Sequence, residues 1–362
     1  MFTNRIYNFS AGPSILPQSV LETASAEMLN FAGTGTSVME MSHRSKDFLA
    51  IFEETKALLK ETLNIPDSHE MLFLQGGATL QFSVVPMNLI GKTGKADYAV
   101  TGNFSKLAMK EAKNYGTVNI AADTEDKNHT YIPRQEDLKL DPEASYFHYC
   151  DNNTIYGTEW DYVPETGNVP LVCDMSSNIL SKPMDVSKYG LIYAGAQKNM
   201  APAGLTVVII DKALAGPTPD GTSPLLDYAN LIKTDSMHNT PSCYNIYMLG
   251  LVLKWIKGLG GLSKMQEINE AKAKLLYDFL DASTLFKGCA EVAYRSQMNV
   301  TFVTGNEDLD NKFVKEATAK GFTNLKGHRN VGGMRASIYN AMPTEGVQAL
   351  VDFMKEFEAN NQ

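Results

Sequence analysis

The stretch YAGAQKNMAPAGLTVVII, residues 193–210, contains a single charged side chain, that of Lys198. No other charged residue occurs between Lys188 and Asp211. A cation in apolar surroundings is costly unless it is paired or neutralised, and such surroundings lower the pKa of a lysine. The stretch therefore predicts a lysine whose amine is partly neutral at physiological pH and can act as a nucleophile.

A second isolated charge, Asp174, lies upstream in VPLVCDMSSNIL, residues 169–180. Asp174 and Lys198 both lie at or just past the end of a predicted strand, where open α/β sheets bind ligands. The pair suggests a lysine that forms a Schiff base and an aspartate that pairs with a pyridinium nitrogen. The alternative is an ordinary turn aspartate and a solvated loop lysine.

Short apolar runs alternate with helical patterns through most of the chain. Strands are predicted at 71–75, 96–100, 145–149, 171–174, 191–194 and 205–210, with helices such as 80–89 and 105–113 between them. This alternation favours a mostly parallel sheet covered on both faces. Helices at 17–29 and 45–63 precede it, and a long helix is predicted from about 245 to 255.

After Gly258, Gly260 and Gly261 the pattern changes. It predicts a helix at 263–280, a strand at 298–303, a helix at 308–320, a glycine-containing loop, a short strand and a last helix at 345–358. We therefore expect two domains. Residues 16–258 would form the large domain, and residues 1–15 with 259–362 would form a smaller α+β domain.

Composition narrows the classes of function. The chain has 362 residues, 44% of them hydrophobic, and a net charge of −9. Such a charge disfavours nucleic acid and anionic membranes as partners. The four cysteines are scattered without a CxxC pair, so we expect no metal site and no disulfide framework. With no signal-peptide pattern and no aliphatic run long enough to span a bilayer, we expect a cytoplasmic protein.

A glycine turn in MLFLQGGATLQFSVVPMNLI, residues 71–90, could bind a phosphate. The predicted strand ends at Gln75, Gly76 and Gly77 make the turn, and a helix follows. A helix start offers free N–H groups and a positive dipole end. The pattern is neither GxGxxG nor a P-loop, so a plain strand–helix turn remains the alternative.

Two polar loops carry clustered cations. His43 and Arg44 lie in SVMEMSHRSKDF, residues 37–48, and His328, Arg329 and Arg335 lie in LKGHRNVGGMRASIYN, residues 325–340. Arginine binds carboxylate or phosphate through two parallel hydrogen bonds. Two such clusters are typical of a site for a substrate with an anion at each end, and surface salt bridging is the alternative.

Six segments together resemble one known family. They are YNFSAGPSILP (7–17), GTSVMEMSHRSKDF (35–48), LFLQGGATLQFSVVPMNL (72–89), DMSSNILSKPMDVSKYGLIYAGAQKN (174–199), HNTP (238–241) and LKGHRNVGGMRASIYNAMP (325–343). The chain resembles the phosphoserine aminotransferases, in the class V branch of the pyridoxal-phosphate enzymes, over essentially its whole length. The resemblance implies an α/β, aspartate-aminotransferase-like fold (fold type I). It has a large domain with a mostly parallel mixed sheet and a smaller α+β domain. It also implies a homodimer with active sites shared across the interface.

The resemblance implies a role for each matched residue in binding pyridoxal 5′-phosphate. Lys198 would form the Schiff base and Asp174 would pair with the ring nitrogen. Phe104 would stack on the ring, Thr154 would contact the cofactor, and Gln197 would bind near the ring or its phosphate. The phosphate would be held by Gly77, Ala78 and Thr79 and, from the other subunit, by Asn239 and Thr240. Thr79 stands where some members have arginine.

The resemblance also implies the substrate contacts. His43 and Arg44 would hold the distal carboxylate of glutamate, and Arg335 would hold the substrate α-carboxylate. His328 and Arg329 would help to bind the substrate phosphate across the dimer interface.

The implied reaction is transamination between O-phospho-L-serine/3-phosphohydroxypyruvate and L-glutamate/2-oxoglutarate, in L-serine biosynthesis. A second role on 4-phosphohydroxy-L-threonine in pyridoxine biosynthesis stays open. The alternative within the class is a serine or alanine:glyoxylate-type aminotransferase. Outside it, the alternatives are a nucleotide-binding α/β oxidoreductase, which the missing dinucleotide fingerprint disfavours, and a non-catalytic α/β interaction protein.

Overall fold

The computed structural model describes residues 5–361. Its helices are α1 Gln18–Ala26, α2 Lys46–Leu63, α3 Gly77–Leu89, α4 Asn103–Ala112, α5 Tyr228–Lys233, α6 Cys243–Leu259, α7 Gly261–Ala282, α8 Glu307–Ala319 and α9 Thr344–Asn360. Its strands are β1 Tyr7–Asn8, β2 His69–Leu74, β3 Lys95–Val100, β4 Thr117–Asp123, β5 Phe147–Cys150, β6 Asn152–Asn153, β7 Thr158–Glu159, β8 Leu171–Asp174, β9 Leu191–Gly195, β10 Thr206–Asp211, β11 Lys287–Gly288, β12 Asn299–Val303, β13 Phe322–Thr323 and β14 Met334–Ser337.

A seven-stranded sheet forms the centre of the fold, in the order β2-β10-β9-β8-β5-β3-β4. The pairs β9–β8, β8–β5, β5–β3 and β3–β4 are parallel. Only β10 runs the other way, antiparallel to both β2 and β9. The sheet is thus mostly parallel, as the alternation of strands and helices predicts.

Helices cover both faces of this sheet. Along β2, Met71 and Phe73 point into one core, which includes residues of α2 and α6. Leu72 and Leu74 point into a second core, which includes residues of α3 and α4. Because both faces are buried, the strands read as continuous apolar runs rather than as alternating ones.

The C-terminal part of the chain has a separate core. A three-stranded antiparallel sheet, β11-β12-β14, packs with α7, α8 and α9, and β1 pairs with β13 beside it. Helix α7 contributes to two cores: Leu262 belongs to the core of the large sheet, and Leu276 belongs to the C-terminal core. The domain boundary at residues 258/259 stays a prediction.

One strand of the large sheet, β4, escaped sequence analysis. It is the edge strand, and its residues Thr117–Asp123 are mostly exposed or half-buried. An edge strand of this kind has neither the continuous apolar run of a buried strand nor a regular alternation. The predicted positions of the other long elements agree with the observed ones to within a few residues.

Within residues 5–361 no single helix is both long and apolar enough to cross a membrane. Helices α6 and α7 pass that test only when they are taken together, and the chain bends by 82° between them.

Candidate active site

The strand register brings the predicted site residues to one edge of the large sheet. Thr206, at the start of β10, pairs with Leu74 on one side and with Gly195 on the other. The glycine turn after β2 and the Lys198 loop after β9 therefore leave the sheet side by side. Asp174 ends β8, where it pairs with Tyr193 of β9. Parallel strands thus carry these side chains to a common carboxyl edge.

The Lys198 amine has few polar partners. Its Nζ donates to Thr154 Oγ1 at 2.8 Å and lies 5.7 Å from the centre of the Phe104 ring. Although the residue keeps some exposure, its amine is enclosed by protein atoms. Burial lowers the pKa of Lys198 to about 8; the charge of Asp174 opposes that shift and the charge of Arg335 adds to it. Both the charged form and the neutral, nucleophilic form of the amine are thus populated near neutral pH.

Asp174 is buried, with 7% of its surface exposed. Its Oδ1 accepts a hydrogen bond from the Ser176 N–H at 2.9 Å. Burial raises the pKa of Asp174, while the hydrogen bonds from Ser176 and the charge of Lys198 oppose that rise. The hydroxyl of Ser176 also accepts a bond from the Gly195 N–H at 3.0 Å, which ties the ends of β8 and β9 together.

Thr154 and Phe104 approach Lys198 from neighbouring loops. Thr154 is buried and follows the short strand β6. Phe104 lies in the first turn of α4, whose N-terminal Gly102 packs so closely on Asn153 that an added Cβ would lie 2.6 Å from the Asn153 amide oxygen. The close approach requires glycine at position 102.

The glycine turn forms an open start to α3. Gly76 and Gly77 have φ angles of 94° and 71°, which favour glycine. A Cβ on Gly77 would meet no atom within 4 Å, so the space beside this turn is free. The N–H groups of the first turn of α3, at Gly77, Ala78 and Thr79, have no intrahelical acceptor. The turn can thus receive a phosphate, as predicted.

Arg335 extends from β14 to the same site. Its Nη1 donates to the Thr154 carbonyl oxygen at 3.3 Å, and its Nε is buried without a hydrogen-bond partner. Burial lowers the pKa of Arg335, but an arginine stays charged in proteins. A half-buried guanidinium with an unused donor is suited to an incoming carboxylate.

His328 and Arg329 lie in the tight hairpin that precedes Arg335. A Cβ on Gly327 would overlap the Gly332 carbonyl, so this hairpin needs glycine there. Burial lowers the pKa of His328, and the charges of Arg335 and Arg329 lower it further. Arg329 is exposed. The hairpin therefore places His328 and Arg329 in the electrostatic neighbourhood of Arg335.

Two pairs of predicted site residues, His43 with Arg44 and Asn239 with Thr240, make no hydrogen bond or ion pair with Lys198, Asp174, Thr154 or Arg335 within residues 5–361. Across residues 5–361, the side chains of His43 and Arg44 make no hydrogen bond or ion pair. The Asn239 amide donates to Gln75 Oε1 at 2.9 Å, and the Gln75 amide donates to the Thr240 carbonyl at 2.9 Å. Asn239 and Thr240 thus lie next to this chain's own glycine turn, and their predicted role in another subunit's site stays a prediction.

Sequence analysis missed the contacts of Ser14 with the Lys198 loop. The Ser14 N–H donates to the Gln197 carbonyl at 2.9 Å, and the Ser14 hydroxyl donates to the Lys198 carbonyl. Farther along the chain, the Tyr339 hydroxyl donates to the Ala11 carbonyl at 2.7 Å. No local pattern marks such contacts, because the partners are more than 180 residues apart.

Comparison with known proteins assigns the class. The family model for class V aminotransferases matches residues 6–350, so the chain belongs to the class V aminotransferases. A phosphoserine aminotransferase from Nitrosomonas europaea is 53% identical, with 99% of each chain covered. One from Bacillus cereus is 52% identical over 99% of each chain. Within the class, the chain belongs to the phosphoserine aminotransferase family.

Solved structures agree with this assignment. The phosphoserine aminotransferase from Bacillus circulans subsp. alkalophilus superposes with a TM-score of 0.97 at 45% identity, with 99% of each chain covered. The fold is therefore the aspartate-aminotransferase-like fold type I, as the resemblance implies.

The residues at the carboxyl edge fit pyridoxal 5′-phosphate, the cofactor of this family. The observations that carry the fit are the open space beside Gly77, the enclosed Lys198 amine with a lowered pKa, and the buried Asp174 carboxyl. The turn suits the phosphate, the amine suits the aldehyde, and the carboxyl suits a protonated ring nitrogen.

Proposed function

We propose that this chain transfers an amino group between O-phospho-L-serine/3-phosphohydroxypyruvate and L-glutamate/2-oxoglutarate, as a step of L-serine biosynthesis. The observation that carries the proposal is the full-length identity of 52–53% to phosphoserine aminotransferases. The site supports it, because a buried amine and a buried carboxyl lie beside an arginine with a free donor.

When bound, pyridoxal phosphate supplies an aldehyde that condenses with amines and a ring that withdraws electrons. Lys198 would hold the cofactor through its amine. Once released, the same amine would accept the proton from the substrate Cα and return it, as a general base and then a general acid. A pKa of about 8 is suited to both tasks, because each protonation state is populated near neutral pH.

Asp174 would keep the proton on the ring nitrogen by placing a carboxylate beside it. The Ser176 N–H bond and the link from Ser176 to Gly195 would hold this carboxyl in place. Arg335 would bind the substrate α-carboxylate through the guanidinium edge that now has no partner. Phe104 would supply a ring face beside the Lys198 amine and exclude water.

At the far end of the substrate, His43 and Arg44 would hold the distal carboxylate of glutamate, and His328 and Arg329 would bind the phosphate of phosphoserine. The cofactor phosphate would be held by Gly77, Ala78 and Thr79 and, from the other subunit, by Asn239 and Thr240. Gln197 would bind near the ring or its phosphate. Several of these residues are exposed in a single chain, which supports a site that a second subunit completes; they are Arg44, Thr79, Asn239, Thr240 and Arg329. We therefore also propose a homodimer with shared active sites.

A half-reaction experiment tests the substrate. The holoenzyme is mixed separately with phosphoserine, serine and alanine, and the absorbance change of the bound cofactor is followed by stopped flow. Phosphoserine should react much faster than the other two, because only it carries an anion for the second cationic cluster. Equal rates with serine or alanine would instead indicate an alanine:glyoxylate-type enzyme.

Complementation tests the shared sites. Lys198→Ala and Arg329→Ala chains, each nearly inactive, are unfolded, mixed and refolded together. If Arg329 serves the partner's site, a mixed dimer contains one intact site and activity returns. Separate refolding of each variant is the control, and no gain on mixing would contradict the proposal.

A cytoplasmic location is the last part of the proposal. The four cysteines are unpaired in the structure, and reducing compartments keep thiols in that state.

A further inference from the structure

A second lysine, Lys272 on α7, is completely buried. Its ammonium faces four carbonyl oxygens: those of Tyr339 at 2.7 Å, Ile338 at 2.9 Å, Met342 at 3.1 Å and Asn340 at 3.4 Å. It has no ion pair with any acidic residue among the described residues 5–361. The Lys272 side chain therefore binds the backbone carbonyls of one turn of the chain, residues 338–342.

The geometry indicates that Lys272 is charged. Burial alone lowers the pKa of Lys272 to about 7. Four carbonyl dipoles that point at one nitrogen favour the ammonium form, which has three N–H donors. A neutral amine has only two N–H donors, so it would leave more of these carbonyls without a donor than the ammonium does.

The turn held by Lys272 contacts the residue that follows Lys198. The Asn340 N–H donates to Asn199 Oδ1 at 3.1 Å, and the Asn340 amide donates to the Leu180 carbonyl at 2.8 Å. Asn269, one helical turn before Lys272, donates to Asn340 Oδ1 at 2.9 Å. The turn is thus fixed to the Lys198 loop on one side and to α7 on the other.

The same turn directly follows the strand that carries Arg335. Strand β14 ends at Ser337, one residue before the turn. Tyr339 in the turn accepts a hydrogen bond from Asn299 of β12 at 3.2 Å and donates one to the Ala11 carbonyl at 2.7 Å. The turn therefore joins the Arg335 strand to the segments that surround Lys198.

We propose that Lys272 is a positioning residue: by holding the carbonyls of residues 338–342, it sets where Arg335 lies relative to Lys198. The inference rests on the proposed function, because it takes Arg335 as the group that binds the substrate α-carboxylate. Lys272 itself touches neither substrate nor cofactor.

The test uses Lys272→Met in the holoenzyme, with Lys274→Met as the matched control. Lys274 lies on the same helix but is exposed, where it pairs with Asp278 at 2.7 Å. The probe is glutarate, an unreactive dicarboxylate, whose dissociation constant is read from the absorbance of the bound cofactor. Lys272→Met should weaken glutarate binding about tenfold, because small misplacements of a binding group are costly. Lys274→Met should leave it within about twofold.

A double-mutant cycle separates positioning from general damage. Arg335→Ala alone should weaken glutarate binding strongly. If Lys272 acts through Arg335, adding Lys272→Met to Arg335→Ala should cost less than about twofold more. Borohydride reduction should still trap the cofactor on Lys198 in every variant. If Lys272→Met does not fold, Lys272→Gln, which keeps two N–H donors, should give a smaller loss that also disappears beside Arg335→Ala.

The outcomes distinguish the two proposals. An equal loss from the Lys272 variant with and without Arg335 would overturn the positioning role and leave the proposed function intact. Unchanged glutarate binding in Arg335→Ala would overturn both the role of Arg335 and the inference built on it.

Discussion

Lys272 is buried and Lys198 is half-buried, and burial lowers the pKa of Lys198 to about 8 and, by itself, that of Lys272 to about 7. Their partners differ. Lys198 donates to one hydroxyl, that of Thr154, and lies over the Phe104 ring. Lys272 faces four backbone carbonyls and has no exposed surface.

The difference shows that burial alone does not make a lysine reactive. A nucleophilic amine needs a free lone pair and room for a reactant. Lys198 has only the Thr154 hydroxyl as a hydrogen-bond partner, so its amine can have both. Lys272 has every N–H engaged and no room, so its charge serves the backbone instead. One buried lysine is suited to chemistry and the other to structure, and their variants should fail in different ways.

The largest effect should come from Lys198→Ala. Without the amine, turnover of phosphoserine with 2-oxoglutarate should fall by roughly 10³-fold or more, because the variant would lose the proposed general acid–base group and the proposed covalent link to the cofactor. The fold should persist, as judged by circular dichroism. Borohydride should no longer attach the cofactor to the chain, and trapping on another residue would refute the assignment.

Asp174→Asn should come next. Removal of the charge that we propose pairs with the ring nitrogen should reduce turnover by about 100-fold, within the range for a preorganised electrostatic partner. The matched control is Asp151→Asn, a buried carboxyl just past the end of the neighbouring strand, whose pKa burial raises to about 6. Steady-state rates of the two variants should differ widely. Similar losses of turnover in the two variants would mean that activity depends on a buried charge at this edge of the sheet and not on contact between Asp174 and the cofactor.

Besides weakening glutarate binding, Lys272→Met should lower the stability of the fold. The carbonyls of Ile338, Asn340 and Met342 lose this donor, whereas that of Tyr339 keeps the Met342 N–H. The free energy of unfolding of the cofactor-free protein should therefore fall by about 3 kcal/mol. Urea unfolding measures it, with Lys274→Met as the control that should change it by less than about 0.5 kcal/mol. Lys198→Ala should cost less than Lys272→Met, since it removes a cation with few partners. The reverse order would contradict the contrast between the two lysines.

The smallest effect is a shift in pH dependence. Only a deprotonated amine condenses with the aldehyde, so uptake of pyridoxal phosphate by the cofactor-free protein should speed up as pH rises, with a midpoint near the Lys198 pKa of about 8. Reductive methylation at the same pH, read by mass spectrometry, should label Lys198 and spare Lys272. An unperturbed lysine has a pKa of about 10.4. A midpoint near that value would show that the pKa of Lys198 is not lowered.

Local sequence was enough to select Lys198, Asp174 and the glycine turn as candidate site residues. Each is visible as a charge or a glycine pair at the end of an apolar run, and the parallel sheet then brings strand ends to one edge. The same reasoning predicted the positions of the long helices and buried strands. It missed the edge strand Thr117–Asp123, whose residues form neither a continuous apolar run nor a regular alternation of apolar and polar residues.

Only the tertiary structure decided the role of Lys272. In the sequence it lies in KMQEINEAKAKLLYDFL, where charges are frequent and a lysine looks like part of a solvated helix face. Its partners are 66–70 residues away. Backbone carbonyls carry no side-chain signal, so their convergence on one ammonium has no signature in the order of residues. Lys198, the proposed reactive lysine, stands out by its neighbours along the chain, whereas Lys272 is distinguished only by its neighbours in space.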